Sequence, residues 1–253
     1  MEVDKKIAER RLREHQGDPV AALRSIGAQR AANWKATGIV ALRDAHLKVS
    51  DGGGSTFRPC TGHASSIAQR AANWKATGIV ALRDAHLKSI PDAVFEAAGS
   101  ARTLDASNNR IVEIPEAIGR LTSLQRLVLP TNRIERLPAS IGLLTSLKAL
   151  QLESNRLTEL PNEIGSLSRL ERLSLASNKL QHLPDSIGQL TALVTLDVSS
   201  NCLSSLPPTI GSCSSLQEIS LQDNRIAGLP PSVVQLSDLR TLALDNNRLT
   251  DVC

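Results

Sequence analysis

Aromatic side chains are almost missing from this sequence, which has no Tyr, two Phe and two Trp among its 253 residues. Apolar residues still make up 41%, so leucine and isoleucine must fill whatever core forms. That suits a repetitive fold with many equivalent small slots. A long hydrophobic run is missing too. No stretch reaches the roughly eighteen apolar residues of a membrane span, so no stable membrane insertion is expected. The N-terminus, MEVDKKIAERRLREHQ, lacks the apolar segment of a secretory signal. Glu2 stands where N-myristoylation would need glycine.

Cysteine is scarce and unpaired in pattern. Cys60, Cys202, Cys213 and Cys253 form no C-x-x-C pair and have no accompanying His cluster. They read as free thiols, and a reducing compartment follows. Catalytic signatures are also lacking: there is no G-x-S-x-G, no H-E-x-x-H and no G-x-x-x-x-G-K-[ST]. Gly52-Gly53-Gly54 precedes Ser-Thr without a lysine, so it reads as a linker. The expectation is a protein that is not an enzyme and uses no cofactor and no metal.

The pI near 9.1 suggests nucleic acid, but the charge map does not. Residues 1–48 carry ten Lys and Arg against six Asp and Glu, whereas residues 101–253 carry fourteen against fifteen. The excess comes from a duplicated segment. AQRAANWKATGIVALRDAHLK runs from Ala28 to Lys48 and recurs unchanged from Ala68 to Lys88. No nucleic-acid partner is expected.

A regular ladder is what the sequence does contain. Asn109, Asn132, Asn155, Asn178, Asn201, Asn224 and Asn247 follow one another at intervals of twenty-three residues. Around them runs L-x-x-L-x-L-x-x-N-x-L-x-x-L-P-x-x-I-G-x-L, as in LTSLKALQLESNRLTELPNEIGS. An internal repeat of this length points to a solenoid. The L-x-L segment predicts a short strand with one buried face. Strands of successive repeats stack in parallel, and the inward asparagines must pair with backbone of neighbouring turns. Leu-Pro then ends regular pairing, because proline has no N–H. The I-G-x-L segment closes the outer side as a helical or 3-10 turn.

Upstream of Asn109 the pattern fades. Val80, Leu82, Leu87, Ile90 and Pro91 fit it, with Ala85 at the asparagine position and one extra residue before Asn109. Ile67, Ala71 and Trp74 share a face at helical spacing, which predicts a cap helix over the first strand with Trp74 as a core plug. Copy one instead runs into VSDGGGSTFRPCTGHASS and meets no ladder, so it is expected to be dispensable. Three parts follow: an extension over 1–66, a cap and first half-repeat over 67–100, and the repeats over 101–253.

The cap RAANWKATGIVALRDAHLKSIP and the units RTLDASNNRIVEIPEAIGRLTSLQRLVLPTNRIERLP resemble small intracellular leucine-rich-repeat-only proteins, the plant relatives of leucine-rich repeat-containing protein 57. The resemblance covers about residues 68–251. It implies an α/β horseshoe with a parallel sheet on its concave face, no enzymatic domain and a protein-binding role. IERLP, LTELP and LQHLP lack the glycine of the L-x-G-x-I-P unit found in extracellular plant receptors, which favours the cytoplasm.

Candidate binding residues are the outward positions of the sheet. Central among them are Arg126, Gln151, Glu153, Arg172, Ser174, Asp197 and Glu218, expected to meet a protein partner. Arg110, Arg133, Arg156, Lys179, Arg225 and Arg248 form a basic rim behind the asparagines, with Glu113, Glu135 and Glu159 close enough in sequence to balance it. Two alternatives stand beside the scaffold reading. One is a regulatory subunit docking on a signalling enzyme such as a phosphatase or small GTPase, and the other an anionic-lipid binder using residues 1–48. The last repeat stops after Asn247 without its I-G-x-L, so weak self-association through an uncapped C-terminal edge is expected.

Overall fold

The computed structural model describes residues 74–96 and 99–250, all within the compact unit Pro59–Cys253. Copy one of the duplicated segment, Trp34, the glycine run, Ile67, Ala71 and the expected boundary at residue 66 lie outside the described residues. Residues 74–77 are helical, and Trp74 is buried beneath them as the spacing predicts. The turn closes at Gly78, whose N–H donates to Trp74 O at 2.8 Å. Glycine is required there: φ is +70°, and a Cβ would sit 2.9 Å from Ser100 O.

Eight three-residue strands follow: β1 Ile79–Ala81, β2 Thr103–Asp105, β3 Arg126–Val128, β4 Ala149–Gln151, β5 Arg172–Ser174, β6 Thr195–Asp197, β7 Glu218–Ser220 and β8 Thr241–Ala243. They form one sheet in chain order. Every pairing is parallel and in register. Partners lie twenty-three residues apart except at the first step, where Ile79 faces Thr103. The extra residue seen in the sequence is absorbed there. The middle residue of each strand points inward. Leu104, Leu127, Leu150, Leu173, Leu196 and Ile219 are fully buried, each worth about 1.5–3 kcal/mol of burial.

Behind each strand the ladder asparagine ties two repeats together. Asn155 Nδ2 donates to Leu129 O of the preceding repeat at 3.0 Å and to Leu152 O of its own at 3.0 Å. Its Oδ1 accepts from Ile134 N–H of the preceding repeat at 3.0 Å. Asn132, Asn178, Asn201 and Asn224 repeat this pattern. At the cap, Ala85 and Leu87 give their N–H groups to Asn109 Oδ1. The turn therefore closes although Ala85 replaces an asparagine.

The residue before each asparagine is left-handed. Asn108, Thr131, Ser154, Ser177, Ser200, Asp223 and Asn246 have φ of 53–58°, yet none is glycine. Asn and Asp tolerate that region, whereas β-branched Thr131 is strained in it.

Outer closure is a row of 3-10 turns: η1 Glu116–Arg120, η2 Ala139–Leu143, η3 Asn162–Ser166, η4 Asp185–Gln189, η5 Pro208–Ser212 and η6 Pro231–Gln235. Each begins after an extended proline and makes no side-chain cap. The fixed φ of proline sets the entry instead. In η1 to η5 the Ile-Gly pair is buried, because the next repeat packs onto it. A Cβ on Gly165 would lie 2.6 Å from Ser186 O. In η6 the same place holds Val234, which is 87% exposed.

Candidate protein-interaction surface

Since each strand turns its middle residue inward, the two flanking residues line the other face of the sheet. The register sets Arg126, Ala149, Arg172, Thr195 and Glu218 side by side in one row. Arg126 and Arg172 therefore stand two strand spacings apart, about 9.6 Å, with only the small Ala149 between them. Both are exposed, as is Glu218. Neither arginine has an ion pair among the described residues. The second row places Gln151, Ser174 and Asp197 next to one another.

Glu153 enters this group diagonally, from just beyond β4. Burial raises its carboxyl above the ordinary carboxylate value, and the Asp197 charge adds to the rise. Its own backbone N–H and the Ser174 hydroxyl oppose it. Glu153 Oε2 is buried without a hydrogen-bond partner among the described residues, which costs stability when the carboxyl is charged. Asp197 is held by Ser199, whose N–H and Oγ donate to Oδ1 at 3.0 and 2.7 Å. Asp105 and Ser107 repeat that arrangement near the cap. The seven candidate residues thus lie on one face, and three of them, Glu153, Ser174 and Asp197, interact directly. Column positions alone do not show that grouping, since Glu153 belongs to a different row.

The basic rim is an exposed edge. Arg110, Arg133, Arg156, Lys179, Arg225 and Arg248 are all exposed, and half-buried Cys202 interrupts them. Their backbone N–H groups reach back to the preceding repeat, as Arg133 N does to Ile111 O at 2.8 Å. Among the described residues the side chains are not balanced by ion pairs. Glu159 pairs with Arg136 at 3.8 Å instead. Cys213 fills a leucine slot beneath the turns. Its Sγ donates to Ile187 O at 3.2 Å, and burial pushes the thiol up to about 11. Among the described residues no group of three or more His, Cys, Asp or Glu could hold a metal. No helix there is long and apolar enough to cross a membrane.

Residues 100–121, 143–222 and 214–253 match the families described as Leucine Rich Repeat, Leucine-rich repeat region and Leucine Rich repeats (2 copies). The ladder is a run of leucine-rich repeats. This leucine-rich-repeat chain is 47% identical over 102 residues, 40% of its length, to plant intracellular Ras-group-related LRR protein 7 of Oryza sativa subsp. japonica. It is 39% identical over 119 residues, 46% of its length, to protein 8 of that group from the same plant. The chain spans only 24% and 26% of these two relatives. The expected kinship with plant leucine-rich-repeat proteins holds.

Solved structures agree on the fold. A leucine-rich-repeat protein of Leptospira interrogans matches with a TM-score of 0.50 and 29% identity, over 78% of this chain and 61% of that one. The plant peptide hormone receptor RGFR1, solved in complex with RGF2, matches with a TM-score of 0.60 and 35% identity, over 64% of this chain and 27% of the receptor.

Residues 1–26 match the family described as HYPK UBA domain. They lie outside the described residues. The reading of 1–66 as a helical or irregular extension contains no such module, because that segment has no periodic mark comparable to the asparagines.

Proposed function

We propose that this chain is a non-enzymatic, intracellular interaction scaffold, and that a segment of a protein partner lies across its sheet on Arg126, Gln151, Glu153, Arg172, Ser174, Asp197 and Glu218. The observation that carries the reading is the contrast between the faces of one sheet. The inner positions repeat the same residues and satisfy each other. The outer ones vary from repeat to repeat, expose two unpaired arginines and keep a buried carboxylate oxygen without a donor. Arginine is prominent among residues that dominate interfaces, and mixed charges suit a polypeptide better than a polyanion. Two further facts support it. The plant relatives are named intracellular, and one similar structure is a receptor in complex with RGF2.

A photo-crosslinking residue at Gln151, in the middle of the face, tests this against one at Ser204 behind it. Partners purified from native plant lysate should crosslink from position 151 and not from 204. Equal crosslinking from both positions, or crosslinking only from 204, would overturn the concave-face reading.

A further inference from the structure

A second polar surface lies beside this face, where the cap meets the first two repeats. A cleft of about 590 Å³ is lined there by Lys75, Gly78, Arg102, Ser123, Gln125 and Ser146 among others, with no acidic residue among the described residues of its wall. Part of its backbone is already paired. Arg102 N–H donates to Gly78 O at 2.8 Å, Gln125 N–H to Arg102 O at 2.8 Å, and Lys148 N–H to Gln125 O at 2.8 Å. The side chains of Lys75, Arg102, Ser123, Gln125 and Ser146 are not. None makes a hydrogen bond or ion pair among the described residues. The next cation along the same row, Lys148, is neutralised by Glu171 at 2.9 Å. The cleft therefore keeps two cations, Lys75 and Arg102, that no carboxylate among the described residues neutralises.

Gly78 fixes this geometry. Its left-handed turn brings the helical residue Lys75 back against the start of β2, and a Cβ there would come within 3.5 Å of Arg102 Cγ. Two cations flanked by neutral donors match a dianion with several acceptor oxygens. A carboxylate would balance only one of them, whereas a phosphomonoester carries about −1.5 to −2 at neutral pH. Arginine's forked donors also fit phosphate oxygens. We propose that this cleft is a phosphate-recognition site that takes a phosphorylated serine or threonine side chain of a protein segment. The protein source of the phosphate rests on the scaffold reading, but the cleft shares no residue with the seven above.

The full chain is titrated with a phosphoserine pentapeptide, its serine and aspartate counterparts and inorganic phosphate, following backbone amide shifts by NMR. The phosphopeptide should shift Gly78 and Gln125 saturably, bind at least tenfold tighter than the aspartate peptide, and leave the serine peptide without effect. Lys75→Gln with Arg102→Gln should weaken it at least tenfold without lowering the thermal midpoint, since neither side chain supports the fold. Arg126→Glu with Arg172→Glu should leave these shifts in place, so that failure of the scaffold face and failure of the cleft are told apart. Absent shifts, or shifts unchanged by the two glutamines, would overturn the site. Binding only to inorganic phosphate would overturn the phosphopeptide assignment.

Discussion

The two faces of this sheet follow opposite rules. On the inner face Leu127, Leu150, Leu173 and Leu196 occupy the same slot in successive repeats, and the ladder asparagines make nearly the same bonds each time. On the outer face the equivalent neighbours are Arg126, Ala149, Arg172, Thr195 and Glu218. Identical inner surroundings demand identical residues, because each repeat is held mainly by its neighbours. The outer face has no such demand, so it is free to differ at each step. Fold and recognition are then separable, and substitutions should sort by face.

The largest effect is expected inside. Leu150→Ala empties a fully buried slot and should cost about 2–5 kcal/mol in chemical denaturation. Asn155→Ala strands Ile134 N–H and takes one of two donors from Leu129 O and from Leu152 O, which Asn132 and Asn178 still serve. One stranded buried group costs about 1–3 kcal/mol, so at least that much should be lost. A cost at Asn155 no larger than that of an exposed substitution would break the comparison.

The glycine row sharpens it. Gly165→Ala pushes a methyl against Ser186 O and should lose about 1–3 kcal/mol through overpacking. Val234 holds the same position in η6 without any such neighbour. Val234→Gly should therefore cost only the backbone freedom of a glycine, about 0.5–1 kcal/mol. Comparing the two thermal midpoints shows whether the glycines serve repeat contact.

Smaller shifts are expected outside the lattice. The folded state holds the Glu153 proton more tightly than the unfolded chain does, since its carboxyl lies above the usual 4.5. Its contribution to stability is thus greatest at acid pH and falls as pH rises from the unfolded value through the raised folded one. Glu153→Gln should stabilise the protein at pH 7, and the gain should vanish below about pH 4. A gain that stays constant with pH would assign it to another cause. Thr131→Asn should raise the thermal midpoint slightly, by relieving part of the roughly 1–3 kcal/mol that a strained left-handed residue costs.

The asparagine spacing makes the solenoid, its strands and its inner lattice legible in the sequence, because each feature repeats. What does not repeat is harder to read. The left-handed column is carried by Asn108, Thr131, Ser154 and their equivalents, and without glycine no residue type marks it. The grouping of Glu153 with Ser174 and Asp197 crosses strands diagonally, so no column of the repeat displays it. The cleft at Lys75 and Arg102 joins the cap to the first repeats, where the period is already broken. Rim cations look balanced in sequence by Glu159, but that carboxylate reaches Arg136 instead.

The most direct test of separable faces reads stability and binding on the same variants. Arg126→Glu with Arg172→Glu should keep the wild-type denaturation midpoint while weakening a crosslink-identified partner by about 2 kcal/mol or more. Asn155→Ala should lower the midpoint, yet bind as wild type under conditions where it remains folded. The account is contradicted if the double reversal unfolds the protein, or if it binds every such partner with wild-type affinity.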